Sequence, residues 1–294
     1  MHDLPTIEGL GRAICSLNTL VDLNLTTFPL PEDTITHLSL LPTLQHLAIL
    51  ITNITFRISP LASGTATAAF PSLRSLRIHT QSDNTAVCTT FLTNISAPDL
   101  SSLSLAFELH NPTSAIHSLF NAISNFQQLW NLELNFAYSL PPTSYAATVH
   151  GDAIIPLFKL KSIYTFDMRS LPIELTTEHW RGMAEAWPML SILSVTPLIS
   201  DGDSDVPSYR TRIPFHDLAI LAQLLSNLRI LTVETEEPQD DRISDVVTLL
   251  PLLSMVTDVN LLQSAIPCET IGSSRVFLRQ IFPNADFAHA NLEI

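Results

Sequence analysis

Positive charge is what this 294-residue chain has least of, with 14 Lys and Arg against 28 Asp and Glu and a formal net charge of −14. A surface of that sign repels the phosphates of nucleic acid and the headgroups of an anionic membrane, which argues against both as main partners. The shortage is general. Up to residue 147 there are four basic and nine acidic residues, and beyond it ten basic and nineteen acidic, so neither half is basic. Charged residues of both signs make up only 14% of the chain, well under the usual share of about a quarter. Cysteine is scarce too. Cys15, Cys88 and Cys268 cannot all pair and share no metal-ligand spacing, which points to a reducing, intracellular compartment, cytoplasmic or nuclear. Met1-His2-Asp3-Leu4-Pro5 has no basic segment followed by an apolar one, so no secretory signal is read there. No apolar run reaches the roughly 18 residues that a membrane helix needs.

The motifs of catalysis are missing as well. There is no G-x-S-x-G, no H-E-x-x-H, no Walker phosphate loop and no G-x-G-x-x-G. Asp201, Asp203 and Asp205 have the odd spacing of a calcium loop, but its sixth position would be Val206 and its twelfth Arg212, where such a loop needs Gly and Glu. A solvated acidic loop is the better reading. The ten histidines are dispersed, and His110 and His117 stand seven apart, too far for a ligand pair on adjacent turns. No catalytic, metal-ligating or cofactor-binding residue is assigned, and the expectation is a protein that is not an enzyme and uses no cofactor. The alternative from another class is an enzyme with an unrecognised site in the segment 197–214.

What is present is repetition. Phe70-Pro71-Ser72-Leu73-Arg74-Ser75-Leu76-Arg77-Ile78 contains an apolar residue, two variable ones, an apolar one, a variable one and another apolar one. The figure first occurs at Leu20, Leu23 and Leu25, and next at Leu44, Leu47 and Ile49. After Leu73, Leu76 and Ile78 come Leu100, Leu103, Leu105 and then Leu129, Leu132, Leu134. Ile163, Phe166, Met168, then Leu190, Leu193, Val195, then Leu228, Leu231, Val233 follow, and a weaker ninth is Val256, Val259, Leu261. Successive first positions lie 24, 29, 27, 29, 34, 27, 38 and 28 residues apart. That is enough for a short strand and a return helix, with inserted loops near 137–160 and 197–214. Several copies are led in by a proline: Leu41-Pro42-Thr43, Phe70-Pro71-Ser72, Ala97-Pro98-Asp99 and Trp187-Pro188-Met189.

Helices are expected between the strands. Residues 7–19 carry Ile7, Leu10, Ile14 and Leu17 on one face, and 84–96 carry Val87, Phe91, Leu92 and Ile95. The clearest amphipathic stretch is 114–126, with Ile116, Leu119, Phe120, Ile123 and Phe126 at helical spacing. Further helices are expected near 145–158, from Thr176-Thr177-Glu178 onward with Trp180, Met183, Ala184 and Trp187 inward, and over 216–226, 244–253 and 276–281. Alternating short strands and helices make parallel strands on one side and helices on the other: an α/β leucine-rich-repeat solenoid, a curved horseshoe with strands concave and helices convex. Residues 1–294 are read as one such domain of about nine irregular repeats.

The nine figures and their proline leads resemble the leucine-rich repeat superfamily. The irregular repeat length, with Phe70-Pro71-Ser72-Leu73 and Ala97-Pro98-Asp99-Leu100, is similar to the divergent repeats of fungal F-box-like proteins. One departure is that the family's Asn or Cys three residues past the third apolar position is absent. Phe28, Thr52, Gln81, Glu108, Ala137, Leu171, Leu198, Glu236 and Ser264 stand there instead. A second departure is that no F-box is present. The resemblance implies substrate recognition for a ubiquitin ligase, with an adaptor contact only if an F-box is supplied by a segment N-terminal to Met1. A scaffold or regulatory repeat protein with no ubiquitin role is the alternative.

Strand alternation turns the residues between the apolar positions outward. The candidate partner-binding residues are His46, Arg77, His79, Ser102, Ser104, Asn131, Glu133, Asn135, Asp167 and Arg169, on a long polar face suited to a protein partner. Arg77, His79 and His46 are the densest gathering of positive or protonatable groups expected on that face, with Asp99 a neighbouring carboxylate that could pair with Arg77. The acidic stretches 201–205 and 234–241 lie on later repeats, with Glu234 read as outward by the same alternation, which predicts a charge gradient along it.

Overall fold

The computed structural model describes residues 7–52, 69–80, 85–109, 113–138, 149–196, 212–214, 217–235, 255–262 and 271–287. The chain divides into two compact units, Met1–Pro141 and Pro142–Ile294.

The first unit runs α1 (Ile7–Cys15), β1 (Asp22–Pro29), α2 (Glu32–Leu40), β2 (His46–Ile51), β3 (Ser75–Thr80), α3 (Thr85–Asn94), β4 (Ser102–Leu109), α4 (Thr113–Ile123) and β5 (Asn131–Tyr138). The five strands pair in parallel and in chain order. Their register superposes the repeat figure, so Leu23, Leu47, Leu76, Leu103 and Leu132 make one row and Leu25, Ile49, Ile78, Leu105 and Leu134 the next. From β2 onward these rows are buried. On β1, the terminal strand of this ladder, Leu23 and Leu25 are only half-buried. Each further strand gives its neighbours apolar surface to cover, at about 25 cal/mol per Å², and β1 has such a neighbour on one side alone.

The proline leads have a local cause. Leu73 N–H donates to the Phe70 carbonyl at 3.3 Å and Leu100 N–H to that of Ala97 at 3.1 Å. Pro71 and Pro98 therefore occupy the second position of a tight turn, where their fixed φ is favourable. Past the turn, two successive N–H groups donate to one carbonyl of the preceding repeat. Gln45 and His46 bind Val21 O, Arg74 and Ser75 bind Gln45 O, Ser101 and Ser102 bind Arg74 O, and Trp130 and Asn131 bind Ser101 O. This device sets the register before the ladder begins.

Two helices of the first unit bury the faces that their periodicity requires; on α1 only Ile14 of the expected face is buried, with Leu10 half-buried and Ile7 and Leu17 exposed. Ile116, Leu119, Phe120 and Ile123 of α4 are all fully buried, and Phe91, Leu92 and Cys88 of α3 lie against the same core. Val87 is half-buried rather than inward. Burial pushes the Cys88 thiol well above its ordinary pKa, which leaves it protonated and unreactive. Beyond the figure, inward alternation continues through Ile51, Thr80, Phe107 and Phe136. Phe107 and Phe136 stack at 5.5 Å and 13° in register across β4 and β5.

The second unit runs β6 (Val149–His150), a 3-10 helix (Gly151–Lys159), β7 (Thr165–Arg169), β8 (Ile173–Glu174), α5 (Thr177–Ala186), β9 (Ile192–Thr196), β10 (Arg212–Ile213), α6 (Asp217–Leu224), β11 (Ile230–Thr232), β12 (Glu234–Thr235), β13 (Asp258–Asn260) and α7 (Ile271–Ile281). Strands β7, β9, β11 and β13 form a parallel ladder in that order. Phe166, Leu193, Leu231 and Val259 share a buried row. Two short parallel ladders, β6 with β8 and β10 with β12, stand apart from it.

Two expectations need correction here. Within the stretch expected to be helical near 145–158, Val149–His150 is a strand and Gly151–Lys159 is a 3-10 helix. Pro156 inside it has no N–H to give an α-helical turn. The closing helix begins at Ile271, five residues before the expected Val276. The expected helix 244–253 falls outside the described residues. Parallel strands alternating with helices, the α/β class expected, are present in both units. Among the described residues no helix is long and apolar enough to cross a membrane.

Candidate partner-binding face

Because the strands are in register, the outward residues of the first unit fall into rows. Asp22, His46, Ser75, Ser102 and Asn131 form one. Asn24, Ala48, Arg77, Ser104 and Glu133 form the next, and Leu50, His79, Ala106 and Asn135 a third. Eight of the ten candidate residues belong to these rows: His46, Arg77, His79, Ser102, Ser104, Asn131, Glu133 and Asn135. His46, Arg77 and Asn135 are exposed and the other five half-buried. Leu50 shares their parity but is buried, directly across from His79.

Arg77 sits in the middle of the second row. Its cross-strand neighbours are Ala48 and Ser104, both short. Among the described residues it makes no ion pair, with Asp99 or with any other carboxylate. Its charge is felt by His79, two residues along the same strand. Burial first, and the Arg77 guanidinium second, hold His79 below its ordinary pKa. Glu133 is engaged on β5, where Asn131 Nδ2 donates to its Oε1 at 3.3 Å and to Ser102 Oγ at 3.1 Å. The amide therefore ties β4 to β5 and fixes the acid's position.

The remaining candidates, Asp167 and Arg169, lie on β7 of the second unit and bind each other. Arg169 Nε reaches the two Asp167 carboxylate oxygens at 3.1 and 2.9 Å, and an Arg169 terminal nitrogen makes a further close contact with Asp167 Oδ2. Asp167 is 8% exposed and so is not the open carboxylate that alternation suggests. Around the pair, the outward rows are Thr165, Ile192, Ile230 and Asp258, then Asp167, Ser194, Thr232 and Asn260. The first of these rows has two isoleucines at its centre.

No family model matches the chain, and no curated protein does either.

Other polar clusters in the second unit are structural. Glu234, read in sequence as an outward residue beside an acidic turn, is fully buried in β12 and accepts from Arg212 Nε at 3.1 Å. Asp217 is fully buried at the start of α6 and accepts from Thr177 Oγ1 at 2.7 Å, which joins α6 to α5. Thr176 caps α5 in a reciprocal box: its backbone N–H donates to His179 Nδ1 at 3.1 Å, while His179 Nε2 faces Asp152 Oδ1 at 3.1 Å. Sequence spacing missed this link between Asp152 and His179, because 27 residues separate them; only Thr176 carried a signal, as a helix cap. Among the described residues no three His, Cys, Asp or Glu side chains converge as metal ligands. Of the expected insertion at 197–214, residues 197–211 with Asp201, Asp203 and Asp205 lie outside the described residues, as do residues 236–241, Cys268 and His110.

Proposed function

We infer that the chain is a protein-interaction module: a leucine-rich-repeat solenoid whose strands line a concave binding surface, acting in substrate recognition in the manner of F-box-like repeat proteins. The observation that carries this reading is the in-register set of outward polar rows on β1–β5, with an exposed Arg77 at its centre that makes no ion pair among the described residues. Repeat proteins use such rows because each strand adds side chains at a fixed spacing, so a surface grows without any new fold. The rows offer hydroxyls, amides, imidazoles and a guanidinium, the groups that orient a partner.

Affinity capture with the intact chain, run beside a Ser104→Arg/Asn135→Arg variant and a His117→Glu variant, tests the assignment. His117 is exposed on α4, away from the strands. Partners retained by His117→Glu and lost by the double variant support the face. Partners retained by both remove it. The ubiquitin-ligase part of the reading has its own readout, co-capture of a ligase adaptor with those partners, and it fails if the adaptor is absent while the partners remain.

A further inference from the structure

We propose that the outer face of β1–β5 takes an extended, polyproline-like protein segment in which one Asp or Glu is flanked by basic residues three positions away on each side. The inference rests on the protein-binding reading above and names the chemistry of the partner. Its basis is the placement of charge across the strands.

Arg77 on β3 is the one Lys or Arg on this face among the described residues; Ala48, Ser75 and the β4 side, Ser102, Ser104 and Ala106, are short, and His46, Leu50 and His79 are the larger neighbours. A guanidinium over such a floor keeps its planar donor fork open to a carboxylate. Acids bracket it. Glu133 lies two strands away on β5 in the same row, and Asp22 two strands away on β1 in the adjoining row. Strands stand about 4.8 Å apart and residues rise about 3.3 Å, which puts Glu133 about 10 Å and Asp22 about 12 Å from the Arg77 position. The face therefore reads acid, base, acid across the strands.

A polyproline helix has three residues per turn and rises about 3.1 Å per residue, so every third side chain returns to the same edge after about 9 Å. Its i, i+3 and i+6 positions match the spacing of Glu133, Arg77 and Asp22. The complementary order is base, acid, base. A polyanion is disfavoured, because a second acid would meet Glu133 or Asp22 and the chain is net −14. Ser104 and Asn135 remain to hydrogen-bond the segment's backbone, which in this conformation has no internal partners.

The probe is the end-blocked peptide Lys-Pro-Pro-Glu-Pro-Pro-Lys, titrated against the full chain by calorimetry at low and moderate salt. Binding should weaken about tenfold or more when the peptide Glu becomes Gln, as a lost charge-assisted pair implies. Arg77→Gln in the protein should cause a similar loss, and the two changes together little more than either alone. The charge-reversed peptide Glu-Pro-Pro-Lys-Pro-Pro-Glu should bind the parent poorly and Arg77→Glu better. If the parent peptide does not bind, or binds equally well to Arg77→Gln, the acidic-segment proposal is overturned. In that event, captured partners that are still lost by Ser104→Arg/Asn135→Arg leave the broader protein-binding reading standing, and partners unaffected by that variant remove both.

Discussion

Arg77 and Arg169 both point outward from strands of the repeat figure, and they meet opposite surroundings. At the position between the last two apolar residues β3 carries Arg77, and β7 carries Asp167. Two residues on, β3 carries His79 and β7 carries Arg169. The pair on β7 neutralises itself through several hydrogen bonds, with the carboxylate nearly buried. The pair on β3 cannot, since both members are positive when protonated, and His79, whose proton burial already weakens, holds it less tightly still beside Arg77. One repeat figure thus yields two chemistries: a closed charge pair beside Ser194 and Thr196, and an open guanidinium among serines. Open charge is of little use to stability, where surface pairs contribute about 0–1 kcal/mol at best. Its value is to a partner.

The inward residues should behave alike in both units, however much the outward ones differ. Leu76 and Leu193 are buried on equivalent positions of β3 and β9. Leu76→Asp and Leu193→Asp each place a carboxylate with no partner in the core, at a cost of several kcal/mol, on the order of 4. Denaturant titration should show both variants largely destabilised or failing to accumulate. A Leu76→Asp protein that melts like the parent would mean that the repeat register assigned to the first unit is wrong.

A middle-sized effect separates paired from unpaired arginine. Arg212→Leu strands the fully buried Glu234 without its guanidinium and should cost about 3 kcal/mol, the range for breaking a buried pair. Arg77→Leu removes an arginine that pairs with nothing described and should change stability by less than about 0.5 kcal/mol. Equal costs would show that Arg77 is held by an interaction the comparison leaves out.

How far the sequence reached follows from where each signal comes from. The inward rows were legible because an apolar residue at a fixed spacing can only be buried against its neighbours, and each of Leu47, Leu76, Leu103 and Leu132 is buried as its figure requires. The helix carrying Ile116 to Ile123 was legible for the same reason, at a different period. Arg77 was legible as outward. What was not legible depends on partners distant in sequence. Alternation placed Glu234 outward, and it is Arg212, 22 residues earlier on β10, that lets a carboxylate be buried there. Asp167 looked open because its charge partner stands only two residues away, and alternation reports which face a residue shares without reporting that two side chains close on each other. The 3-10 helix at Gly151–Lys159 shares its apolar spacing with an α-helix, and Pro156 was the residue that could have separated them.

Closing the open pair gives a smaller effect. Arg77→Asp with His79→Arg gives β3 the outward pair of β7, and the stability change should stay within about 1 kcal/mol, since both positions are surface-accessible. Peptide binding should nonetheless vanish, because the new arginine would be satisfied by the new aspartate. Retained binding by this double variant would show that the open guanidinium is not what the ligand reads.

The smallest effect is on a proton. His79 has Arg77 on its own strand, Leu50 across on β2 and Ala106 across on β4, and no described carboxylate faces it from either neighbour. Its pKa in the folded chain is therefore lowered, first by burial and then by Arg77, from an ordinary value near 6.5. The sign follows from linkage: the fold prefers neutral His79, so it loses a little stability as pH falls through the ordinary histidine range towards the lowered value. Arg77→Gln removes the Coulombic part and leaves the burial, so the His79 titration followed by NMR should move up, though not beyond what burial permits. A carboxylate docked on Arg77 should move it in the same direction, so binding takes up a fraction of a proton and strengthens as pH falls towards 6. In Arg77→Gln the acidic peptide should leave the His79 titration where the substitution put it. A His79 titration that ignores both the substitution and the peptide would separate the two residues electrostatically and reduce the β3 pair to an accident of spacing.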